Sequence, residues 1–600
     1  MSSQPSTLPL HTDSGHPPQI TVLDTGGQYA HLIARRVRQF GVYADVQPSD
    51  TPASELQSRK GLIISGGPSS VCEPGSPDID PRVLASGVPV LGICYGHQLM
   101  AKHLGGEVQK GDRGEYGIAR LTVTADDTLW TGVSQSQIWM SHFDTVASVP
   151  PGFRITASTG VSGIAAMSDP RRKLFGLQFH PEVVHTHAGM QILENFLFRI
   201  CGATKDWEPS ARIRLIEDEI RSAVKDRNVF FFVSGGVDST VAYTLCLGAL
   251  GPGRVYGIYV DTGLMRKDET AYVREIFREL GATHFLVDDA AQEFLAALDG
   301  VYDPEAKRRA IGEQFLKVQE RILATEHFLD GHWILGQGTI YPDTIESGGS
   351  AKADLIKTHH NRVAGIQSLI DSGRIIEPLT SFYKDEVRDI GRELGISARF
   401  LSRHPFPGPG LAIRCLCSDR QAPVSQDAEG FLLPVRSVGV QGDARSYRHV
   451  LCLAGRPTLD QVENIAPALT NSRFDINRIV ALCGAKASLA SMQVSKTSII
   501  RERLDLLREA DSAVRTFCLA TGFESQVWQF PVVLVPLGTA ASPESVVLRP
   551  VNSVDGMTAD VVLMPDGWLD ELTAKLLELP SIAAVFYDLT HKPPGTIEWE

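Results

Sequence analysis

The stretch "VPVLGICYGHQLM", Val88–Met100, carries an apolar run into a cysteine, Cys94, set inside Gly92-Ile93-Cys94-Tyr95-Gly96. A strand that turns sharply into a helix lifts the side chain at the turn above its sheet. Glycines flank such a turn because a Cβ would collide with the neighbouring strand or helix. The N-terminus of the following helix favours a thiolate, the reactive form of cysteine. A buried structural thiol is the competing reading of the same residue. "LFGLQFHPEV" supplies partners. His180 has the chemistry of a general base and acid for Cys94, and Glu182 that of the group that fixes the imidazole tautomer. His-Pro-Glu alone also reads as a surface turn. "LIISGGP" puts Gly66 and Gly67 in a loop after a strand. The backbone N–H groups of Gly67 and Tyr95 would face an oxyanion. Together these residues describe acyl transfer through a cysteine.

A second constellation lies at "VFFFVSGGVDST". Ser234, Gly235, Gly236, Val237, Asp238, Ser239 and Thr240 stand between a strand and a helix. Glycines let backbone N–H groups approach a phosphate, and hydroxyls and the helix N-terminus add donors. No Gly-Lys-Ser follows, so this is not the common nucleoside triphosphate loop. A plain tight turn is the alternative.

The elements that must hold these residues are α/β throughout. "QITVLDTG", "KGLIISGG" and "VPVLGIC" are short apolar strands. "QYAHLIARRVRQFG" puts Ile33, Val37 and Phe40 on one helix face. Buried strands separated by helices predict a parallel sheet covered on both faces, reaching about Cys201. "GATKDWEPS" reads as a linker. "NVFFFVSGG", "RVYGIYVDTG", "THFLVDD" and "HWILGQGT" predict a second, doubly wound sheet to about Arg414. The remainder holds a weak repeat. "FLLPVRSVGV", a helical stretch and "FDINRIVALCG" lie beside "VLRPVNSVDGM", "GWLDELTAKLLEL" and "SIAAVFYDLT", each read as strand, helix, strand. "TSIIRERLDLLREADSAVRTF" between them is an amphipathic helix. The expected division is a disordered tail over 1–18, an α/β domain over 19–203, a second over 204–414, and two small α+β modules over 415–600.

Length and composition agree. Among 600 residues, 43% are hydrophobic and 21% charged, as in globular protein. No apolar run is long enough to span a bilayer, and the first residues lack the apolar core of a signal peptide. Nine scattered cysteines without paired metal spacing suggest free thiols in a reducing, cytoplasmic setting. A net charge of −13 argues against a nucleic-acid surface.

"SGGP", "GICYGHQ" and "FHPE", in that order, resemble a class I glutamine amidotransferase. The resemblance implies that Cys94 attacks the glutamine side-chain amide, forms a thioester and releases ammonia, with Gln98 contacting the substrate. "WMSHFD" matches a loop of that family, with Phe143 where the family usually has glycine; this puts the local loop geometry in question. "SGGVDST" resembles the pyrophosphate loop of ATP pyrophosphatases. These cleave ATP between the α and β phosphates, adenylate a substrate oxygen and release pyrophosphate. Asp238 would then help organise Mg²⁺ brought with ATP, and Val260 and Asp261 would lie near the adenosine.

"GQGTIYPDTIES", "IKTHHN", "EPLTSFYKDEVR", "RHPFPGPGLAIR", "RSVGVQGDARSY", "DGMTAD" and the terminal "KPPGTIEWE" resemble the GMP synthase family, in its order and over nearly the whole chain. That family converts xanthosine monophosphate (XMP) to GMP with ATP, Mg²⁺ and glutamine. The resemblance implies Gln337, Gly338, Lys357 and Lys384 at ATP, with Asp343 and Glu346 nearby. It implies Arg414, Arg549, Lys592 and Glu598 at XMP, arginine being suited to bidentate phosphate recognition. Arg362-Val363-Ala364 stands where the family usually has Val-Gly-Gly, on an expected lid. The last region resembles the long form of the family, with a duplicated module that could mimic a partner subunit, so monomer and homodimer both stay open. Two rivals stay open as well: another glutamine-dependent adenylating amidase, such as a NAD synthetase-like enzyme, and a non-catalytic glutamine or nucleotide sensor.

Overall fold

The computed structural model describes residues 18–27, 29–110, 115–183, 185–207, 209–340, 364–380, 382–401, 403–404, 406–441, 444–553 and 558–600. The chain divides into two compact units, one of residues 11–219 and one containing residues 220–600.

The first unit is built on a nine-stranded sheet. Five of its strands run parallel: Ala44–Pro48, Ile20–Asp24, Gly61–Ile64, Val90–Ile93 and Leu174–Leu177, in that spatial order. The last three are neighbours in the middle of the sheet, and their C-terminal tips lead to Gly66, Cys94 and His180. Helix Ala30–Gln39 packs on this layer through Ile33 and Val37, both fully buried, as the 3.6-residue spacing predicts. The other half is antiparallel and departs from the all-parallel expectation. Strand Glu115–Val123 shows why. Its exposed and half-buried residues alternate, the pattern of a sheet with one wet face. Such a strand has no continuous apolar run to announce it. The linker also differs from expectation. Trp207 is buried, stacked on Tyr43 with ring centroids 4.3 Å apart.

The second unit contains a five-stranded parallel sheet. Its order is His284–Asp289, Val255–Asp261, Asn228–Phe232, Trp333–Gly336, Ile375–Ile376. This is doubly wound, as read from the sequence. The strand order reverses beside Asn228–Phe232, so the Ser234 loop sits at the topological switch point, where open α/β sheets bind ligands.

The second unit also contains a seven-stranded sheet, with a three-stranded and a two-stranded sheet beside it in the sequence. Each half contains a strand, a helix and a parallel return strand. One half has Ala444–Leu453, helix Ala466–Ser472 and Ile476–Ala485. The other has Glu544–Leu548, helix Asp566–Leu577 and Ile582–Asp588. The halves meet antiparallel along Ile476–Ala485 and Ile582–Asp588. The order strand, helix, strand therefore recurs in both halves, with the first strand of each displaced from the expected one; in the second half Glu544–Leu548 takes only the first two residues of "VLRPVNSVDGM". The crossover in the first half starts from Ala444–Leu453, which pairs in a hairpin with Gly430–Gln441, and not from "FLLPVRSVGV" itself. Helix Arg501–Thr521 buries Leu504, Leu507, Val514 and Phe517. A continuous core joins Phe230 of the parallel sheet to Leu548 and Val585 of the mixed one.

Candidate functional site

Cys94 follows strand Val90–Ile93 and precedes helix Tyr95–His103. Its φ of 49° lies where side chains are rarely found, so the turn is strained at the residue that does chemistry. The flanking glycines are needed by space. A Cβ on Gly92 would stand 2.5 Å from the Gly96 carbonyl oxygen, and one on Gly96 would stand 2.4 Å from that of Ile64.

His180 and Glu182 complete the arrangement. Glu182 Oε1 accepts from His180 Nδ1 at 2.7 Å, which leaves Nε2 for the sulfur. Both side chains are at least 95% buried, as is Cys94. The Tyr29 ring packs edge-on against the imidazole, centroids 5.1 Å apart. Burial pulls the His180 pKa down, but the Glu182 carboxylate and the Cys94 sulfur outweigh it and hold it well above the ordinary histidine range. That balance favours the protonated imidazole. Gly66 lies against the pair: a Cβ there would come within 2.9 Å of the imidazole and 3.4 Å of Cys94 Cβ. The backbone N–H groups of Gly67 and Tyr95 have no hydrogen-bond partner among the described residues, which suits oxyanion donors.

Gln98 is buried beneath this site, and both N–H bonds of its amide are used. They go to the Asp144 carbonyl at 2.8 Å and to Gln178 Oε1 at 3.3 Å. Only its carbonyl oxygen is left to meet a substrate. Gln178 in turn directs Nε2 to Cys94 Sγ at 3.8 Å. Sequence reasoning passed over Gln178, although it stands two residues before His180 and so on the same face of an extended segment. Phe143 is 43% exposed and is not among the non-glycine residues with positive φ, so its backbone asks for nothing that only glycine could give.

In the other unit, the loop after Asn228–Phe232 gathers most of the residues expected at ATP. Gly235 has φ 73°. The hydroxyls of Ser234 and Ser239 lie 3.3 Å apart on the exposed side of the turn. Thr240 points inward and donates to the Gly236 carbonyl at 2.8 Å, closing the first turn of helix Val237–Leu250. The Asp238 carboxylate is 3.8 Å from Lys384 Nζ, which comes from the start of another helix, Lys384–Glu393. Gly338, beyond the tip of Trp333–Gly336, touches the loop so closely that a Cβ would stand 2.7 Å from Ser239 Cα. The Gln337 N–H is tied to the Ile376 carbonyl at 2.9 Å. Val260 is 7% exposed near the end of the adjacent strand, and Asp261 accepts from Thr270 Oγ1 at 2.6 Å. Asp343, Glu346, Lys357 and Arg362 lie outside the described residues.

Two of the four residues expected at XMP hold each other. Arg414 makes a bidentate pair with Glu598, at 2.9 and 2.7 Å. Arg414 is 1% exposed at its side chain and Glu598 17%. Arg549 departs from the expectation of a phosphate-facing cation. It is fully buried, paired with Asp588 at 2.7 Å, and donates to the Ile597 and Thr590 carbonyls. Arg478, which the sequence did not single out, shares Asp588 and donates to the Thr596 and Glu598 carbonyls. The physical reason is that the final segment is irregular and at least half-buried over Gly595–Glu600, so its carbonyls need donors that no sheet ladder supplies. Lys592 pairs its backbone with that of Ala559. Among the described residues no group of three His, Cys, Asp or Glu could hold a metal ion by itself. No helix of the described residues is long and apolar enough to cross a membrane.

Comparison with known proteins gives the family. Residues 21–200 match the family described as glutamine amidotransferase class-I, residues 210–330 NAD synthase, and residues 518–599 the GMP synthase C terminal domain. A protein of Leptospira interrogans named probable GMP synthase (glutamine-hydrolyzing) is 42% identical, over 97% of this chain and 99% of its own. GMP synthases (glutamine-hydrolyzing) of Syntrophomonas wolfei and Streptomyces coelicolor are 40% and 38% identical over 97% of this chain, and 99% and 98% of theirs. Among solved structures, a glutamine amido transferase from Methylobacillus flagellatus is 26% identical over 29% of this chain and 72% of its own, with a TM-score of 0.24. With 38–42% identity to full-length relatives over 97% of its length, the chain belongs to the glutamine-hydrolysing GMP synthase family.

Proposed function

We propose that this chain is a ligase that makes GMP from XMP, ATP and glutamine. The observation that carries this reading is the presence, in one chain of that family, of a Cys94–His180–Glu182 triad and a Ser234–Thr240 phosphate loop. Cys94 attacks the glutamine side-chain amide, and the Gly67 and Tyr95 N–H groups meet the oxyanion. His180 protonates the leaving ammonia, and water then releases glutamate from the thioester. In the second unit, the N–H groups and hydroxyls of the 234–240 loop hold the pyrophosphate end of ATP. The purine C2 oxygen attacks the α-phosphorus and pyrophosphate leaves. Ammonia adds at C2 and AMP departs with the oxygen. Lys384 neutralises charge developing during adenylyl transfer. Gln337, Gly338 and Val260 line the ATP side, and Lys357 is assigned there by its motif.

The residues present fit Mg²⁺ carried by ATP. Such an ion takes one or two carboxylates and otherwise phosphates and water, and Asp238 is the carboxylate in place. When bound it offsets phosphate charge. For XMP, Glu598 is the acceptor for purine N–H groups, since it is the more exposed partner of its pair. Arg414 aims it through their bidentate pair. Arg549 supports the segment that carries Lys592 and Glu598. The NAD synthetase-like alternative is not favoured, because its family match covers only residues 210–330. A sensor without activity would not need a strained, paired nucleophile. The enzyme is expected in the cytoplasm, with its domains divided near residues 203 and 414.

The test is AMP and pyrophosphate release from Mg-ATP and glutamine, with and without XMP. Release only with XMP, with equal GMP formed, is expected. Release without XMP would mean that another carbonyl is the acceptor.

A further inference from the structure

Lys307 is a cation in an unfavourable place. It lies in the first turn of helix Pro304–Thr325, where the helix dipole disfavours positive charge, and it is fully buried. Its ammonium has three partners. It donates to the Ala412 carbonyl at 3.3 Å, to the Cys415 carbonyl at 3.2 Å, and to the Glu600 carboxylate. Glu600 is itself 3% exposed, and its backbone carbonyl accepts from Arg308 of the same helix turn. Ala412 and Cys415 bracket Arg414, and Glu600 is two residues from Glu598. One ammonium therefore ties both backbones that carry the Arg414–Glu598 pair.

Burial of a charge pair is rarely the cheapest way to stabilise a core. Apolar residues of similar size often do as well, and the best attested use of such a pair is to set register. Here the register is that of residues 598–600 against residues 412–415. A slip of one residue in the final segment would turn Glu598 away from Arg414 and put Trp599 in its place. Trp599 is held apart from that slot by its own bonds. Its ring N–H donates to Asp588 at 2.8 Å, and its carbonyl accepts from Val438 at 2.9 Å.

We infer that Lys307 and Glu600 are positioning residues for purine recognition in GMP synthesis, holding Glu598 and Arg414 in the register at which the acceptor carboxylate faces XMP. This rests on the reading of Glu598 and Arg414 as the XMP pair. Neither Lys307 nor Glu600 touches substrate. Their effect reaches it through the two backbones.

The experiment uses the full chain and ammonia-dependent GMP formation, so that the glutaminase does not limit the rate. Glu600→Asp withdraws the carboxylate by one methylene and keeps its charge. The double variant Lys307→Met/Glu600→Leu removes both charges. Positioning predicts that KM for XMP rises about tenfold or more in both, with KM for ATP within about twofold of the parent. Both are read beside a thermal melt. A variant that melts with the parent yet shows the raised KM for XMP supports the assignment. A parental KM for XMP in either variant overturns it, and so does an equal loss for XMP and ATP. Glu598→Gln is measured in parallel. If its KM for XMP is unchanged, the reading of the XMP pair falls and the positioning role falls with it. If that KM rises while the Lys307 and Glu600 variants stay parental, only the positioning role falls.

Discussion

The two reactive centres are built in opposite ways. At Cys94 the protein supplies everything and closes around it. The three residues of the triad are at least 95% buried, and the critical hydrogen bond is 2.7 Å. At Ser234 the groups stand apart and wet. Lys384 and Asp238 are 3.8 Å from one another, with side chains 46% and 27% exposed. The difference follows from what each substrate brings. A glutamine amide is neutral, so the dipoles that stabilise its oxyanion must be fixed beforehand in a dry site. ATP arrives with several charges and its own cation, and a prebuilt cluster of fixed charges around it would be costly to keep unpaired. The region proposed for XMP lies between these cases, with Glu598 and Arg414 already paired and only the carboxylate partly exposed.

Substitutions can break this contrast. Cys94→Ala should have the largest effect, lowering glutamine-dependent GMP formation by about 10⁴-fold or more. Ammonia-dependent formation should stay at the parental rate. If both fell together, the two centres would not be separable. Asp238→Ala should lower both reactions by about 10³-fold, measured as pyrophosphate release, because each passes through the adenylated intermediate. Survival of either would move the metal and phosphate role elsewhere.

Glu182→Gln sharpens the account of His180. The glutaminase rate should fall about a hundredfold, less than in a serine triad because a thiol ionises more readily. Its pH profile carries the sign. The His180 pKa is raised, so the imidazolium that protonates ammonia is present below that value and lost as pH rises through it. Removing the carboxylate lowers the pKa, and the alkaline limb should move to lower pH. An unmoved limb would assign it to another group.

A matched pair of glycines gives smaller effects. Gly96→Ala should destabilise the first unit by about 1–3 kcal/mol in thermal melts, since its Cβ would meet backbone at 2.4 Å. Gly338→Ala should press on the phosphate loop and raise KM for ATP about tenfold, with the melt of the first unit unchanged. The smallest test concerns assembly. We expect a monomer, because the two halves of the seven-stranded sheet already meet across Ile476–Ala485 and Ile582–Asp588. A dimer at low micromolar concentration in a mass measurement would overturn that.

Local chemistry is what the sequence by itself determined. "GICYGHQ" and "SGGVDST" are each a strand tip, a turn and a helix start, and every constraint on them acts within a few residues. Glycine spacing and apolar runs were therefore enough to place Cys94 and the Ser234 loop at strand-to-helix turns, while the chemistry there came from the resemblance. The order of the motifs along the chain was likewise legible, as was the doubly wound sheet. Tertiary structure alone decided which charges face one another. The wet-faced strand Glu115–Val123 has no continuous apolar run to announce it. Arg414, Arg478 and Arg549 look alike as isolated basic residues. Yet one orients Glu598 and the other two share Asp588, and since all three are buried only the partner each meets distinguishes them. Lys307 and Glu600 are 293 residues apart and belong to no shared motif. Their meeting depends on how a helix turn, a backbone turn and the final segment close on one buried ammonium, and that closure is long-range.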